Sequence, residues 1–207
     1  MLKQNSELRA VARDTLSGNW LMAALAALVY MAVAGAVGSI PMMGGLVTFL
    51  VITPLAYGLN VMFLDLIREG KEIEIGRMFD GFKDYGRITG TLILTAVYTL
   101  LWMLLLIVPG IVKSYSYALT PYILKDEPDL KFNEAIEKSM RMMDGHKAKL
   151  FLLDLSFVGW AMLVLLTLGI GMVFLIPYMR TARAAFYEDV KAETCGGTGN
   201  MSDVGEA

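Results

Sequence analysis

The chain has almost none of the residues that build catalytic or metal centres. Its 207 residues include a single cysteine, Cys195, and a single histidine, His146. A lone cysteine forms no internal disulfide, and one histidine does not supply a metal cluster. No Ser-His-Asp or Cys-His combination can be assembled, and no phosphate-binding loop pattern occurs. We therefore expect no catalytic, cofactor-binding or metal site, and a protein that is not an enzyme.

Charged residues are also few. They make up 18% of the chain against 56% hydrophobic residues, and the mean hydropathy is +0.56. Soluble domains carry about 25% charged residues, so this balance indicates a chain that contacts lipid. The net charge of −2 excludes nucleic acid as a partner, because binding phosphates requires a basic surface.

Charges are missing altogether from several long stretches of the sequence. These charge-free stretches are 15–64, 88–112, 114–124 and 155–179. A hydrocarbon core ~30 Å thick is crossed by a helix of roughly 20 apolar residues. The first stretch is therefore long enough for two spans with a break at 38–45. The sequence predicts an all-α, polytopic membrane protein, with strong spans at 20–40, 45–64, 88–108 and 150–167.

The positions of Lys and Arg distinguish four spans from six. With four spans and the N-terminus inside, 11 of these cations are cytoplasmic and seven are outside. If 109–110 and 169–171 are outer turns, and 111–124 and 172–188 return through the membrane, 17 are cytoplasmic and only Lys113 lies outside. Cytoplasmic segments carry an excess of Lys and Arg. This favours six spans in three hairpins with both termini cytoplasmic, and leaves open whether the short fourth and sixth helices fully cross.

The same layout occurs three times along residues 1–190, which we interpret as one membrane domain. Each unit has an amphipathic segment followed by two spans, and the units are roughly 3–66, 71–125 and 129–190. We expect each amphipathic segment to form a short cytoplasmic helix that ends at a glycine: Gly18, Gly86 and Gly145. The remaining residues, 191–207, are polar and glycine-rich and are predicted to be a disordered tail.

Prolines and charges inside the predicted return helices are the candidate functional features. A proline lies at a similar depth in each return helix: Pro54, Pro121 and Pro177. Because a proline removes one backbone hydrogen bond, each is expected to kink its helix. Folding the last hairpin about 169–170 places Asp154 opposite residue 185, within one helical turn of Arg183. We therefore predict an intramembrane ion pair between Asp154 and Arg183.

Several segments together resemble a known family. They are 16–20 (LSGNW), 79–82 (FDGF), 108–111 (VPGI) with 115–117 (YSY), 155–160 (LSFVGW) and 185–189 (AFYED). On these residues the chain resembles the bacterial integral membrane family catalogued as domain of unknown function 975, from about residue 3 to 190. It is also distantly similar to the membrane domain of some glycerophosphodiester phosphodiesterases, whose catalytic domain has no counterpart here. The resemblance implies a multi-span membrane protein and supplies no catalytic residue.

Two classes of function stay open at this point. The first is a non-enzymatic membrane protein that organises or regulates cell-envelope components, with the lipid bilayer and other membrane proteins as partners. The second is a transporter or permease subunit for a small solute or lipid, with a site where the proline-containing helices meet. Proton or ion relays need acidic groups inside the bundle, so the few intramembrane charges favour the first class. The sequence does not fix the partner or the oligomeric state.

Overall fold

Helices form all the regular structure in the part of the chain that the computed structural model describes, residues 2–39, 44–70, 73–167, 169 and 171–198. This confirms the all-α class. In chain order the elements are α1 (Asn5–Leu16), α2 (Trp20–Gly38), α3 (Gly44–Glu69), a 3₁₀ helix (Ile75–Phe82), α4 (Tyr85–Leu105), α5 (Ile107–Ser116), α6 (Thr120–Asp126), α7 (Phe132–Met142), α8 (Lys147–Leu155), α9 (Val158–Leu166) and α10 (Met172–Thr198).

Three helices of the described chain are long and apolar enough to cross a membrane. They are Trp20–Gly38, the part of α3 from Phe49 to Glu69, and Tyr85–Leu105. The predicted strong span at 150–167 is divided instead into α8 and α9 by a turn at 156–157. The predicted fourth span is likewise divided into α5 and α6 by a turn at 117–119. Six spans in three hairpins therefore stay a prediction.

The turn after α4 lies earlier than the sequence predicts. We expected it at Pro109 and Gly110, but the backbone turns at Leu106, which is extended (φ −157°, ψ 132°). Pro109 lies in the first turn of α5, where a missing N–H breaks no helical hydrogen bond. Gly110 packs on α4, because a Cβ added there would lie 2.5 Å from Cγ of Met103. The return segment thus begins at Ile107 rather than at residue 111.

Two of the three predicted kink prolines lie inside helices. Pro54 is within α3 and Pro177 is within α10. Pro121 instead starts α6, directly after the turn at 117–119, so it marks a break between two helices and not a kink within one. A helix accepts proline in its first turn without losing a hydrogen bond. At Pro54, the missing N–H frees the carbonyl of Leu50, which accepts a hydrogen bond from the Tyr85 hydroxyl at 3.2 Å.

A short amphipathic helix precedes two longer helical segments in each third of the chain. The short helices are α1, the 3₁₀ helix and α7. Gly18 and Gly145 follow the first and third with φ of +87° and +77°, a conformation that glycine adopts without strain. The second unit differs, because its Gly86 lies within α4. The glycine pattern of the predicted repeat therefore holds in the first and third units only.

Helices α3 and α10 lie at the centre of the bundle and contribute the largest share of its core. Their buried side chains include Leu55, Leu59, Phe63 and Leu64 on α3, and Ala182, Phe186, Tyr187 and Val190 on α10. The apolar face of α1, with Leu8, Ala12 and Leu16 fully buried, packs on α10. Since a buried leucine contributes about 1.5–3 kcal/mol, α1 is an integral part of the core.

The 3₁₀ helix lies against α3 with backbone touching backbone. A Cβ added to Gly58 would lie 1.9 Å from the carbonyl oxygen of Met78, and one added to Gly81 would lie 2.1 Å from that of Pro54. Real Cβ atoms do not approach other atoms so closely. Glycine on both partners is therefore what allows this contact to form.

The C-terminal helix extends beyond its predicted end. We predicted a disordered tail from 191 to 207, but α10 continues through Thr198. Lys191 pairs with Asp126 and Val190 is fully buried, so packing fixes the start of this stretch. Its alanine, lysine and glutamate residues favour a helix. Residues 199–207 lie outside the described part of the chain.

Candidate functional site: ionic junctions between the return segments

The carboxylate of Asp126 joins the C-terminal ends of α3 and α6 to the C-terminal half of α10. Arg68 at the end of α3 binds it with two hydrogen bonds, Nη1 to Oδ1 at 2.5 Å and Nη2 to Oδ2 at 2.7 Å. Tyr187 of α10 donates its hydroxyl to Oδ2 at 2.7 Å, and Lys191 pairs with the same oxygen. Arg68 also donates from Nε to Glu188 at 2.7 Å. We call these five residues the Asp126 junction.

The environment of Asp126 keeps it ionised. Its side chain is only 9% exposed, and burial by itself would raise the pKa of its carboxyl. Hydrogen bonds from Arg68, Lys191 and Tyr187 outweigh burial and hold that pKa well below its usual range. A general acid or base needs a pKa near the working pH. The Asp126 junction is therefore suited to holding helices together and not to proton transfer.

A second junction lies beside the first and includes Asp65. Its carboxylate accepts from Arg77 of the 3₁₀ helix at 3.1 Å and from Lys125 of α6 at 3.4 Å. Asp65 is 8% exposed, so this carboxylate is largely enclosed by its partners. The two junctions together connect α3, α6, α10 and the 3₁₀ helix at one end of the bundle.

The predicted partners Asp154 and Arg183 lie together. Arg183 of α10 donates from Nε to Oδ1 of Asp154 at 3.0 Å and from Nη2 to Oδ2 at 2.7 Å. Tyr115 of α5 donates to the same carboxylate at 3.2 Å. The pair thus links α8 to α10 and, through Tyr115, to α5. The Asp154 side chain is 14% exposed and that of Arg183 is 45% exposed, so solvent still reaches the arginine.

Removing either partner of this pair is expected to destabilise the protein more than removing both. Arg183→Leu and Asp154→Leu each leave one charge unpaired, at an expected cost of roughly 1–3 kcal/mol, less than for a fully buried pair because Arg183 is half exposed. The double variant should recover much of this loss. Melting temperatures of the wild type, the two single variants and the double variant in detergent give a double-mutant cycle, which measures the coupling between the two side chains.

The surface pair Arg141 and Glu137 provides the control for this cycle. Its closest atoms are 3.9 Å apart and both side chains are largely exposed, so its coupling is expected to be near zero. Strictly additive losses at Asp154 and Arg183 would contradict the prediction. Arg183 would then act independently of the carboxylate.

Arg180 is held by neutral groups between the two proline-containing helices. Its Nη1 donates to Oδ1 of Asn60 at 2.6 Å and to the carbonyl of Ala56 at 3.3 Å. Its guanidinium also lies over the ring of Tyr30, 5.4 Å from the centroid. Among the described residues it has no carboxylate partner. Because Asn60 and Tyr30 are 120 and 150 positions away in the chain, they are not apparent from the sequence as its partners.

The Asp126 junction was not predicted from the sequence. Its residues are far apart in the chain, with 58 positions between Arg68 and Asp126 and 65 between Asp126 and Lys191. The available signal was positional, because each repeated unit ends its return segment with charged residues. If the three return segments end at one depth, those charges must meet. The repeat was identified from glycines and prolines and was not extended to these charges.

A comparison with known protein families gives a match over nearly the whole chain. The model described as "Protein of unknown function (DUF975)" matches residues 1–117 and 97–194. The chain belongs to this family. The family part of the predicted resemblance is thereby confirmed. No curated protein and no solved structure matches the chain, and the distant similarity to phosphodiesterase membrane domains stays a prediction.

Proposed function

We propose that the protein is a multi-pass cell-membrane protein with six spans in three hairpins, both termini cytoplasmic, that organises or regulates cell-envelope components without catalysis. The observation that carries this proposal is the Asp126 junction. It joins the C-terminal ends of α3 and α6 to the C-terminal half of α10, an arrangement that supports three return segments running in the same direction. This parallel arrangement supports three hairpins of equal orientation, and the cations at that end support a cytoplasmic location for it.

The exposed surface supports insertion into a bilayer. Large apolar side chains are exposed along α2 and along the α4–α5 pair: Leu21, Leu28, Leu100, Leu101, Leu104, Leu105, Ile107 and Val108. Soluble monomers rarely expose apolar patches of more than a few hundred Å². In a bilayer these side chains contact acyl chains instead of water, so their exposure carries no hydrophobic free-energy penalty. This favours a membrane location.

The state of the acidic groups supports an organising role over ion coupling. Asp65, Asp126 and Asp154 are each bound to at least one arginine. A proton relay requires acidic groups that change charge inside the bundle, whereas these carboxylates serve as links between helices. A rigid bundle with charged cytoplasmic segments fits a docking or regulatory role.

A transporter or permease subunit for a small anionic solute or lipid is the second candidate. The observation that favours it is Arg180, a cation between the proline-containing α3 and α10 whose partners are neutral. Purification from native membranes followed by mass spectrometry separates the candidates. A stoichiometric partner protein supports the organising role. A co-purifying solute that crosses proteoliposomes only when Arg180 is intact supports the transporter.

Single-cysteine labelling tests the topology. In a Cys195→Ala background, cysteines placed at Lys71 and at Lys131 are expected to resist an impermeant maleimide in intact cells and to react after permeabilisation. Lys113, which both the four-span and the six-span topology place outside, provides the control, because Lys113→Cys should react in intact cells. Reaction at position 131 but not at 71 would restore the four-span topology.

A further inference from the structure

An apolar groove lies between the start of α2 and the last two helices. Its volume is about 580 Å³, within the range of about 300–1,000 Å³ that is typical of ligand sites. Aromatic side chains form most of its wall: Trp20, Trp160, Phe174 and Tyr178. Tyr178 lies between the two tryptophans, with centroids 6.4 Å from Trp20 and 6.5 Å from Trp160. The groove is therefore a preformed aromatic surface.

The groove is apolar along its length and cationic at one end. Arg13, in the last turn of α1, lines the end next to Trp20. The wall then follows α9 from Trp160 to Thr167, roughly 10 Å at 1.5 Å per residue. The far end is reached at Gly171. An occupant that matches this surface has an anionic head and an apolar chain.

Neither arginine of α1 forms an ion pair with a carboxylate in the part of the chain that the structure describes. Arg13 is exposed, and it forms no ion pair with any described residue. Arg9 lies one turn earlier on the same face of α1, and its Nε is buried without a hydrogen-bond partner in the described chain. The carbonyl of Arg9 accepts from the Tyr178 hydroxyl at 3.3 Å, which places Arg9 next to the groove wall. Within the described part of the chain, no carboxylate pairs with the charge of Arg13 at this end of the groove.

We propose that this groove binds one anionic phospholipid of the cytoplasmic leaflet. The phosphate accepts hydrogen bonds from the Arg13 guanidinium, whose planar fork suits phosphate oxygens. One acyl chain lies between the aromatic rings and extends towards Gly171. Tryptophan and tyrosine favour the level of the bilayer interface, which is where a lipid phosphate lies. This site goes beyond the proposed organising role and rests on the proposed topology, which places α1 at the cytoplasmic surface of the membrane.

Thermal stability in detergent tests the headgroup contact. Adding phosphatidylglycerol to the purified full-length protein is expected to raise its melting temperature, whereas phosphatidylcholine raises it less and glycerol phosphate not at all. Arg13→Ala should require about tenfold more phosphatidylglycerol for the same shift, because one charge-assisted hydrogen bond is lost. Arg141→Ala, which removes an exposed cation from another amphipathic helix, should behave as the wild type.

Two further measurements test the position of the lipid. Val164→Trp fills the groove and is expected to abolish the shift. If that variant does not fold, a photoactivatable phosphatidylglycerol is cross-linked to the wild type, and the adduct should map to residues 160–178. The proposal is overturned by equal stabilisation with phosphatidylcholine or glycerol phosphate, by an unchanged response of Arg13→Ala, or by adducts confined to other helices. A co-purified protein cross-linked to Trp160→Cys in place of lipid would also overturn it.

Discussion

Asp126→Asn is expected to lower the free energy of unfolding by roughly 2–4 kcal/mol. The substitution removes the charge that holds Arg68 and Lys191 at the ends of α3 and α10. Breaking a fully buried pair costs about 3–5 kcal/mol, and the expected loss is smaller because these two cations are 25% and 38% exposed. Denaturation of the purified protein in mixed micelles measures the change. Asp129→Asn is the matched control, since Asp129 is exposed and three residues away.

The pH dependence of stability gives an independent test of the same junction. The pKa of Asp126 is lower in the folded protein than in the unfolded chain, so its contribution is fully present above the unfolded value of about 4. The contribution is lost as the pH falls from there towards the folded pKa. The wild type is therefore expected to lose stability below pH about 4 more steeply than Asp126→Asn. Parallel pH profiles for the two proteins would show that Asp126 is not the origin of the effect.

Gly58→Ala is expected to be strongly destabilising, with the closest contact of any added Cβ among the described glycines. The added Cβ meets the Met78 carbonyl at 1.9 Å, and neither backbone is able to rotate away as a side chain does. Overpacking costs typically about 1–3 kcal/mol, and the upper end or more is expected here because α3 and the 3₁₀ helix must separate. Their separation also weakens the pair of Arg77 with Asp65. The free energies of unfolding of the wild type and of Gly58→Ala in mixed micelles measure this loss.

Gly35→Ala is the matched control for Gly58→Ala. Gly35 lies in α2, and a Cβ added there meets no atom within 4 Å. The change should be neutral or stabilise by up to about 1 kcal/mol, the difference in helix propensity between glycine and alanine. Equal effects at the two positions would mean that the close contact at Gly58 does not limit packing.

Hydrophobic length alone located the apolar helices in the first half of the chain. Helices α2, α3 and α4 coincide closely with the spans expected at 20–40, 45–64 and 88–108. Folding the last hairpin about 169–170 predicted Asp154 within one helical turn of Arg183, and the two side chains are in contact. Local signals that act over one turn or one span were sufficient for these features.

Breaks without a glycine or proline could not be predicted in this way. Residues 156–157 divide one apolar stretch into two helices, and neither serine nor phenylalanine is a strong helix breaker. The Asp126 junction depends on which helices are neighbours, and one sequence contains no direct record of that. Pro121 indicated an interruption of the helix near this position. Whether the helix kinks or ends there depends on the preceding turn, which the hydropathy profile does not show.

The packing of α1 on α10 joins the first and last helices of the chain. The backbone N–H of Lys3 donates to Asp189 at 2.6 Å across 186 positions, and Leu8, Ala12 and Leu16 have their partners largely on α10. A ribosome adds about 5–20 residues per second, so α1 waits roughly 10–40 s before its binding surface exists. In the proposed topology, we expect lipid at the membrane surface to cover its apolar face during that interval. Docking of α1 on α10 is then expected to be a late step of assembly, because it requires both ends of the described chain.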